Sequence, residues 1–106
     1  MRKGDIVLVK YPFTDFSSEK LRPALVLLPE DEESDLLLAF ITSNITRKGS
    51  FDINISKGET GLHKDSTLRL KKIMAVHKSL IMGKIGNVSK QQLNVIENML
   101  RKMFEL

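Results

Sequence analysis

Short hydrophobic runs separated by polar residues predict a chain built mainly from β-strands. Residues 6–9 and 24–28 are rich in branched aliphatic side chains, and each run has the length of one strand. Residues 36–41 (LLLAFI) form a continuous apolar run, as expected for a strand buried on both faces. In residues 51–56 the apolar positions alternate with polar ones, which predicts a half-buried strand with one wet face.

The second half of the chain continues this pattern and then changes period. Residues 67–72 alternate, which places Leu68 and Leu70 on one face and Arg69 on a face open to solvent or a ligand. Residues 73–77 and 80–85 are further apolar segments. The chain should therefore contain several antiparallel strands.

The C-terminal segment has the periodicity of an α-helix. Ser89 and Gln92 have the spacing of a capping box. Apolar residues then recur at helical intervals, at Leu93, Ile96, Leu100, Met103 and Phe104, with Met99 widening the stripe. The pattern predicts an α+β protein that is mainly β, with residues 1–106 forming a single domain capped by one C-terminal α-helix.

Length and composition support one soluble domain. A chain of 106 residues has room for one compact core, and 42% hydrophobic with 28% charged residues is typical of globular proteins. No apolar run reaches the roughly 20 residues that a membrane-spanning helix needs, and the apolar segment near the N-terminus is too short for a signal peptide. We therefore expect a cytoplasmic protein.

Charge and cysteine content narrow the possible chemistry. Seventeen Lys and Arg against thirteen Asp and Glu give a net charge of +4, which favours polyanionic partners. The acidic cluster in residues 30–35 reads as a solvated loop between two strands. The chain has no cysteine, which excludes disulfides, thiolate metal sites and a thiol nucleophile. Two histidines far apart in sequence argue against a zinc site, so we expect no metal and no cofactor.

Arg22 is the first candidate for a functional residue. Pro23 biases its backbone towards an extended conformation, so the guanidinium should project from the mouth of a strand beside a loop. The planar guanidinium can bind two phosphate oxygens at once and stays charged at every working pH. The alternative is that Arg22 only solvates a strand end.

The polar triplet Thr42, Ser43 and Asn44 is the second candidate, because it follows the strand predicted to be central. Alternatively, Thr42 and Ser43 satisfy backbone groups where that strand ends. The pair Arg47 and Lys48 then forms a basic turn.

The histidines and methionines carry weaker signals. His63 lies in a loop with glycines nearby, where its imidazole could transfer a proton or be an ordinary loop side chain. His77 is expected to be partly buried and hydrogen-bonded. The methionines at positions 74, 82, 99 and 103 read as core or interface filler, and Met99 and Met103 could contribute to a dimer face.

Five segments together carry a resemblance to a known family. In order, they are GDIVLVKYPF, SSEKLRPALVL, FITSN, GLHKDSTLRLKKI and the closing helix. With these segments the chain resembles the MazF/PemK-like toxins of type II toxin–antitoxin systems over nearly its whole length. The resemblance implies a small SH3-like antiparallel β-barrel with a C-terminal helix, usually a homodimer, whose partners are single-stranded RNA and a cognate antitoxin.

The resemblance also implies an activity. Members of this family usually cleave single-stranded RNA without a metal, as the ribose 2′-hydroxyl attacks the adjacent phosphorus and leaves a 2′,3′-cyclic phosphate and a 5′-hydroxyl. By matching motifs, Arg22 corresponds to the family's catalytic arginine and Thr42 to the hydroxyl residue after the buried strand. Glu19 matches an acidic loop residue and is the leading candidate for the base, with His63 as the reserve.

The remaining candidates would contact RNA. Some relatives use an arginine at the position of Arg69, but their acidic partner two residues later is Lys71 here, so we expect Arg69 to bind a phosphate. The full set of expected RNA-binding residues is Ser18, Lys20, Ser43, Asn44, Arg47, Lys48 and Arg69.

Two other functions remain open. The first is a non-catalytic toxin like the CcdB group, which binds a protein target such as DNA gyrase. The second is a plain nucleic-acid-binding barrel, for which aromatic stacking platforms are expected. The only clustered aromatic residues in the sequence are Tyr11, Phe13 and Phe16.

Overall fold

The computed structural model describes residues 1–11, 20–44, 48–58 and 60–106. Within these ranges one antiparallel sheet of six strands is followed by a helix. The strands are β1 (Asp5–Tyr11), β2 (Lys20–Leu28), β3 (Asp35–Thr42), β4 (Asp52–Ile55), β5 (Ser66–His77) and β6 (Ile81–Asn87), and the helix is α1 (Lys90–Phe104). A short 3₁₀ turn, Lys78–Leu80, joins β5 to β6. The predicted mainly β architecture with a C-terminal helix is confirmed.

The sheet has the spatial order β4-β5-β3-β2-β1-β6 and buries a hydrophobic cluster on each face. One cluster contains Ile6, Leu25 and Ala39 and packs against Ile96 of α1. The other contains Val7, Val26 and Leu38. Because β3 lies inside the sheet and supplies residues to both clusters, its sequence is apolar at successive positions.

The helix begins as its sequence predicts. The hydroxyl of Ser89 accepts a hydrogen bond from the backbone N–H of Gln92 at 3.1 Å, and this N-cap satisfies one of the unpaired donors of the first turn. The helix ends at Phe104, and its C-cap residue, Glu105, has a left-handed backbone conformation. Met99 and Met103 are half-buried against the core, whereas Phe104 is exposed.

The hairpin of β1 and β2 extends further than its apolar runs. Tyr11 pairs with Lys20, and Val9 pairs with Arg22. Lys20, which precedes the strand predicted over residues 24–28, is therefore the first residue of β2, and Arg22 lies within the strand rather than at its mouth. Cross-strand hydrogen bonds continue the hairpin beyond the apolar run, which is why hydrophobic pattern alone placed the boundary too late.

Pro23 ends the pairing between β2 and β3. It is paired with Leu8 of β1, and since proline has no N–H this must be a non-hydrogen-bonded pair, with the proline nitrogen on the β3 side. The ladder between β2 and β3 accordingly ends at Ala24 and Phe40. Arg22 lies two residues before Ala24 on β2, and Thr42 lies two residues after Phe40 on β3. Both residues are therefore at the place where the two strands no longer pair.

A bulge interrupts β5 beside the same place. Ile73 pairs with Ala39 of β3, but the next residue of β3, Phe40, pairs with Arg69. The bulge therefore consists of residues 70–72, which have no pairing partner on β3. Its first residue, Leu70, is fully buried, and its N–H donates to the carbonyl of Phe51 at 3.2 Å. The predicted placement of Leu68 and Leu70 on a buried face and of Arg69 on an exposed one is confirmed, and the bulge ends the alternation at Lys72, which is exposed like Lys71.

A close backbone contact holds the loop after β4 against β6. A Cβ atom on Gly61 would lie 2.0 Å from the carbonyl oxygen of Ile85, and one on Gly86 would lie 2.1 Å from that of Thr60. The loop is also closed on itself, because the N–H of Lys57 donates to the Asp65 carboxylate at 2.9 Å. The sheet is thus curled enough for a loop from one edge strand to contact the other edge strand, although β4 and β6 are not paired.

Asp5 fixes the start of β1. Its carboxylate accepts a hydrogen bond from the N–H of Arg2 at 2.8 Å and lies 3.2 Å from the ammonium of Lys84 on β6. Burial by itself raises the pKa of Asp5, but the Arg2 hydrogen bond and the Lys84 charge together outweigh it and lower the pKa below the usual range. Asp5 therefore stays ionised and ties β1 to β6.

Some expectations about burial are wrong. His77 is exposed rather than partly buried, because it precedes the 3₁₀ turn and its Nδ1 accepts the N–H of Ser79 as a cap. Met74 and Met82 are exposed, so of their two predicted roles, core or interface, only the interface role is left as a prediction. Asp52, expected on a wet face, is buried and accepts the N–H of Gly49 at 2.7 Å. The described part of the chain contains no helix capable of spanning a bilayer.

Candidate functional site

Arg22 and Thr42 line the same part of the surface. Each contributes to two neighbouring pockets, one beside β5 and one beside the loop after β4. The strands β2 and β3 are neighbours in the sheet, and their last backbone pair is Ala24 with Phe40. Arg22 and Thr42 come together because each lies two residues from this last pair. The structure therefore places the two leading candidates of the sequence on the border between two pockets.

The hydroxyl of Thr42 has a defined orientation. Its oxygen accepts a hydrogen bond from the backbone N–H of Asn44 at 3.1 Å. This is the local bond that the alternative interpretation of Thr42 anticipated. A hydroxyl has two acceptor lone pairs and one donor, so accepting this bond leaves its proton available for a ligand. The structural role and a ligand-binding role are thus compatible.

Two aromatic rings lie next to Arg22. The guanidinium carbon lies 5.7 Å from the ring centroid of Tyr11, at cation–π distance. The rings of Tyr11 and Phe40 have centroids 5.6 Å apart and are tilted by 53°. The aromatic contact restricts where the exposed guanidinium can point. Arg22 is thereby held near the pocket it lines.

The pocket beside β5 is lined by both aromatic and cationic side chains, and we call it the aromatic–basic pocket. It has a volume of about 410 Å³. The side chains that give it this character are Tyr11, Phe40, Arg22, Arg69, Lys71 and Lys72. Four of these six are cations, so the pocket suits an anionic ligand that also has a planar apolar part.

Arg69 has an acidic partner, although the sequence did not show one. Register pairs Arg69 of β5 with Asp52 of β4, and the arginine Nε lies 3.9 Å from an Asp52 carboxylate oxygen. The other carboxylate oxygen accepts the N–H of Gly49, so Asp52 is fixed. Arg69 therefore has its acidic contact on the neighbouring strand and not two residues later on its own strand, where Lys71 stands.

The second pocket, which we call the histidine pocket, lies on the other side of Arg22 and Thr42. It has a volume of about 320 Å³, and His63, Lys64 and Ser43 also line it. The contact between Gly61 and β6 holds the loop that carries His63 in this place. The only imidazole near Arg22 among the described residues is therefore that of His63. The described residues include no group of three or more His, Cys, Asp or Glu that could hold a metal ion.

The other expected contact residues are distributed as follows. Arg69 lines the aromatic–basic pocket and Ser43 lines the histidine pocket, whereas Lys20 and Lys48 are exposed and line neither. Asn44 takes part through its backbone N–H to Thr42. The expected base, Glu19, lies outside the described residues, as do Ser18 and Arg47.

Comparison with known proteins identifies the family. The model of the PemK-like, MazF-like toxins of type II toxin–antitoxin systems matches residues 2–104. The chain belongs to this toxin family. A sequence search of curated proteins finds no significant match.

Solved structures of other proteins show the same fold as this toxin. The Mycobacterium tuberculosis toxin MazF-mt6 has a TM-score of 0.78 and 18% identity, covering 96% of this toxin and 97% of that chain. A mycobacterial endoribonuclease in complex with its cognate antitoxin has a TM-score of 0.77 and 14% identity, covering 98% and 94%. Another mycobacterial endoribonuclease has a TM-score of 0.72 and 15% identity, covering 98% and 90%.

Sequence reasoning missed several residues at this site of the toxin. Phe40 lies two residues before Thr42 on the same strand, and this spacing was a signal that both side chains point to one face. Lys71 and Lys72 line the same pocket. The sequence carries no signal of this, because consecutive residues of a regular strand point to opposite faces. Asp52 becomes a partner of Arg69 only through strand register.

Proposed function

We propose that this toxin is an endoribonuclease that cleaves single-stranded RNA without a metal and is inhibited by a cognate antitoxin. The observation that carries the proposal is the convergence of Arg22 and Thr42 on the border of two pockets, one of them strongly cationic. Family membership and the endoribonuclease names of two structures with the same fold support it. A toxin that binds only a protein target has no need of a phosphate-binding pair.

The proposed reaction forms a bond between the ribose 2′-oxygen and phosphorus and breaks the bond between phosphorus and the 5′-oxygen. Negative charge increases on the non-bridging phosphate oxygens in the transition state. Arg22 can donate two parallel hydrogen bonds to these oxygens, and Thr42 can donate one more. The products are a 2′,3′-cyclic phosphate end and a 5′-hydroxyl end.

One proton must leave the 2′-hydroxyl and one must reach the 5′-oxygen. Arginine is too weakly acidic to exchange its proton in this range without strong perturbation. Glu19 remains a candidate from the family resemblance. His63 is supported by its position, since it lines the same pocket as Arg22 and Thr42. We propose His63 as the base that takes the 2′-hydroxyl proton.

His63→Gln is expected to lower the cleavage rate by about 10²-fold, because general base catalysis contributes on this order. Glutamine keeps a polar side chain of similar size but is not basic enough to accept the proton. The charged groups that share the pocket, Arg22 and Lys64, remain in the variant. The measurement is kcat/KM on one defined single-stranded RNA. A variant with wild-type activity would return the role of base to Glu19.

The proposed function is tested by incubating the purified toxin with a long single-stranded RNA in EDTA, which suppresses contaminating metal-dependent nucleases. Wild type should cut at discrete sites and leave cyclic-phosphate ends. Thr42→Val should reduce the rate by about 10²-fold because one donor to the transition state is lost, and Thr42→Ser should retain most of the activity because it keeps the hydroxyl. The measurement is product mapping with end-group analysis.

Absence of cutting by well-folded wild type would overturn the ribonuclease assignment and redirect the search to a protein target. Equal cutting by wild type and Thr42→Val would remove Thr42 from the mechanism.

In the same assay an antitoxin whose acidic segment covers Arg22 should compete with RNA. Inhibition that is independent of RNA concentration would contradict that mode of binding.

A further inference from the structure

The border position of Arg22 and Thr42 has a consequence for how RNA binds, given the proposed function. A phosphate held by this pair has a pocket on each side, because both residues line both pockets. The two nucleotides that flank the phosphate would then enter different pockets. The aromatic–basic pocket and the histidine pocket differ in chemistry, so the two nucleotides would be bound in different ways.

The aromatic–basic pocket has the parts that bind one nucleotide. Tyr11 is 38% exposed and lies in contact with Phe40, so the pair offers an aromatic surface to a base. Stacking on such a surface is sequence-tolerant, because every base has a π-face. The volume of about 410 Å³ lies in the range of pockets that hold small ligands.

The bulge in β5 supplies the positive charge for a second phosphate. In a regular strand Lys71 and Lys72 would point to opposite faces of the sheet. Here both belong to the bulge, are exposed and line the same pocket as Tyr11 and Phe40. Bulges re-aim side chains in this way, and lysine binds phosphate as a flexible point charge.

We propose that the aromatic–basic pocket binds the nucleotide next to the scissile phosphate. Its base stacks against Tyr11 and Phe40, and its other phosphate is held by Lys71 and Lys72. The site deepens the proposed function by assigning separate pockets to the two sides of the cut.

The test measures binding rather than cleavage, so that the two proposals can fail separately. The probe is a fluorescent single-stranded oligonucleotide pool of random sequence with 2′-fluoro sugars, which lack the attacking hydroxyl. Its affinity for the full-length toxin is measured by anisotropy over a range of salt concentrations. The key variant carries Lys71→Gln and Lys72→Gln. The control carries Lys90→Gln and Lys102→Gln, which remove the same charge from exposed positions on α1.

The key variant should bind about tenfold more weakly, and its slope of log K against log salt should fall by about 0.7, as expected for one lost phosphate contact on a single strand. The control should keep the wild-type slope. Tyr11→Ala should weaken binding by about tenfold with an unchanged slope, and Tyr11→Phe should bind as wild type, because stacking needs only the ring. Circular dichroism checks that each variant is folded.

Equal losses in the key variant and the control would show that only net charge matters and would overturn the inference. So would wild-type affinity in the key variant, or failure of wild type to bind the pool. The key variant could also bind a polyglutamate peptide more weakly than wild type does while binding the oligonucleotide pool equally well. That result would overturn the inference and assign the pocket to an acidic peptide instead. Specific binding by a wild type that does not cut RNA would leave the site standing and overturn the proposed function.

Discussion

Arg22→Ala is expected to lower kcat/KM for RNA cleavage by about 10³-fold, because it removes a charged donor of two hydrogen bonds from the transition state. Arg22 is exposed on β2, and its visible contact is with the Tyr11 ring. Loss of a cation–π contact at an exposed site costs about 0.5–1 kcal/mol, so the variant should stay folded. The loss of activity would then report on chemistry rather than on stability.

Arg22→Lys is the matched control for charge. Lysine keeps the positive charge but cannot form two parallel hydrogen bonds to one phosphate, so an intermediate rate is expected. The measurement is kcat/KM on one defined RNA for wild type and both variants, with thermal unfolding in parallel. Wild-type activity in Arg22→Ala would exclude Arg22 from catalysis. Full activity in Arg22→Lys would show that charge alone is needed.

Gly61→Ala is expected to lower the free energy of unfolding by about 2–4 kcal/mol. Two effects contribute to this loss, namely backbone strain at a positive φ and the collision of the added methyl group with the neighbouring strand. Gly61 has a φ of +80°, and an added Cβ would lie 2.0 Å from the carbonyl oxygen of Ile85. A backbone carbonyl in a sheet cannot move aside as the end of a side chain can. The loop that carries His63 must therefore separate from β6 or the strand must shift. The midpoint of thermal unfolding should fall by roughly 10–25 °C.

Gly58→Ala is the control for this substitution. Gly58 lies in the same loop with a φ of +98°, but among the described residues no atom other than those of its chain neighbours lies within 4 Å of an added Cβ. It should show the backbone strain alone, of about 1–2 kcal/mol. Urea and thermal unfolding of both variants separate strain from collision. Equal destabilisation by the two substitutions would show that the contact with β6 does not hold the loop.

Local pattern was sufficient for most of the architecture. The apolar runs gave the strands, the continuous run of residues 36–41 gave the central strand, and the Ser89 cap gave the start of the helix. These signals work because side-chain period and capping depend on neighbours in the sequence. The strand boundary at Lys20 was placed wrongly because it depends on pairing with Tyr11, which is a contact between strands.

The candidate site was predictable in part. Arg22 and Thr42 were found from their positions next to Pro23 and after the central strand, and the structure brings them together. The contact between Phe40 and Tyr11 and the ion pair between Arg69 and Asp52 were not predicted. Both depend on which strands are neighbours and in what register. Register is a tertiary property, since it is set by the packing of the whole sheet.

By itself, the sequence determined the mainly β class, the C-terminal helix and the basic character, and it predicted two residues suited to bind a phosphate. Only the tertiary structure decided how these parts combine. The β5 bulge gathers Lys71 and Lys72 into one pocket, and the Gly61 contact holds His63 beside another. The physical reason is that hydrophobic period and capping are local, whereas bulges, register and backbone contacts arise where distant segments meet.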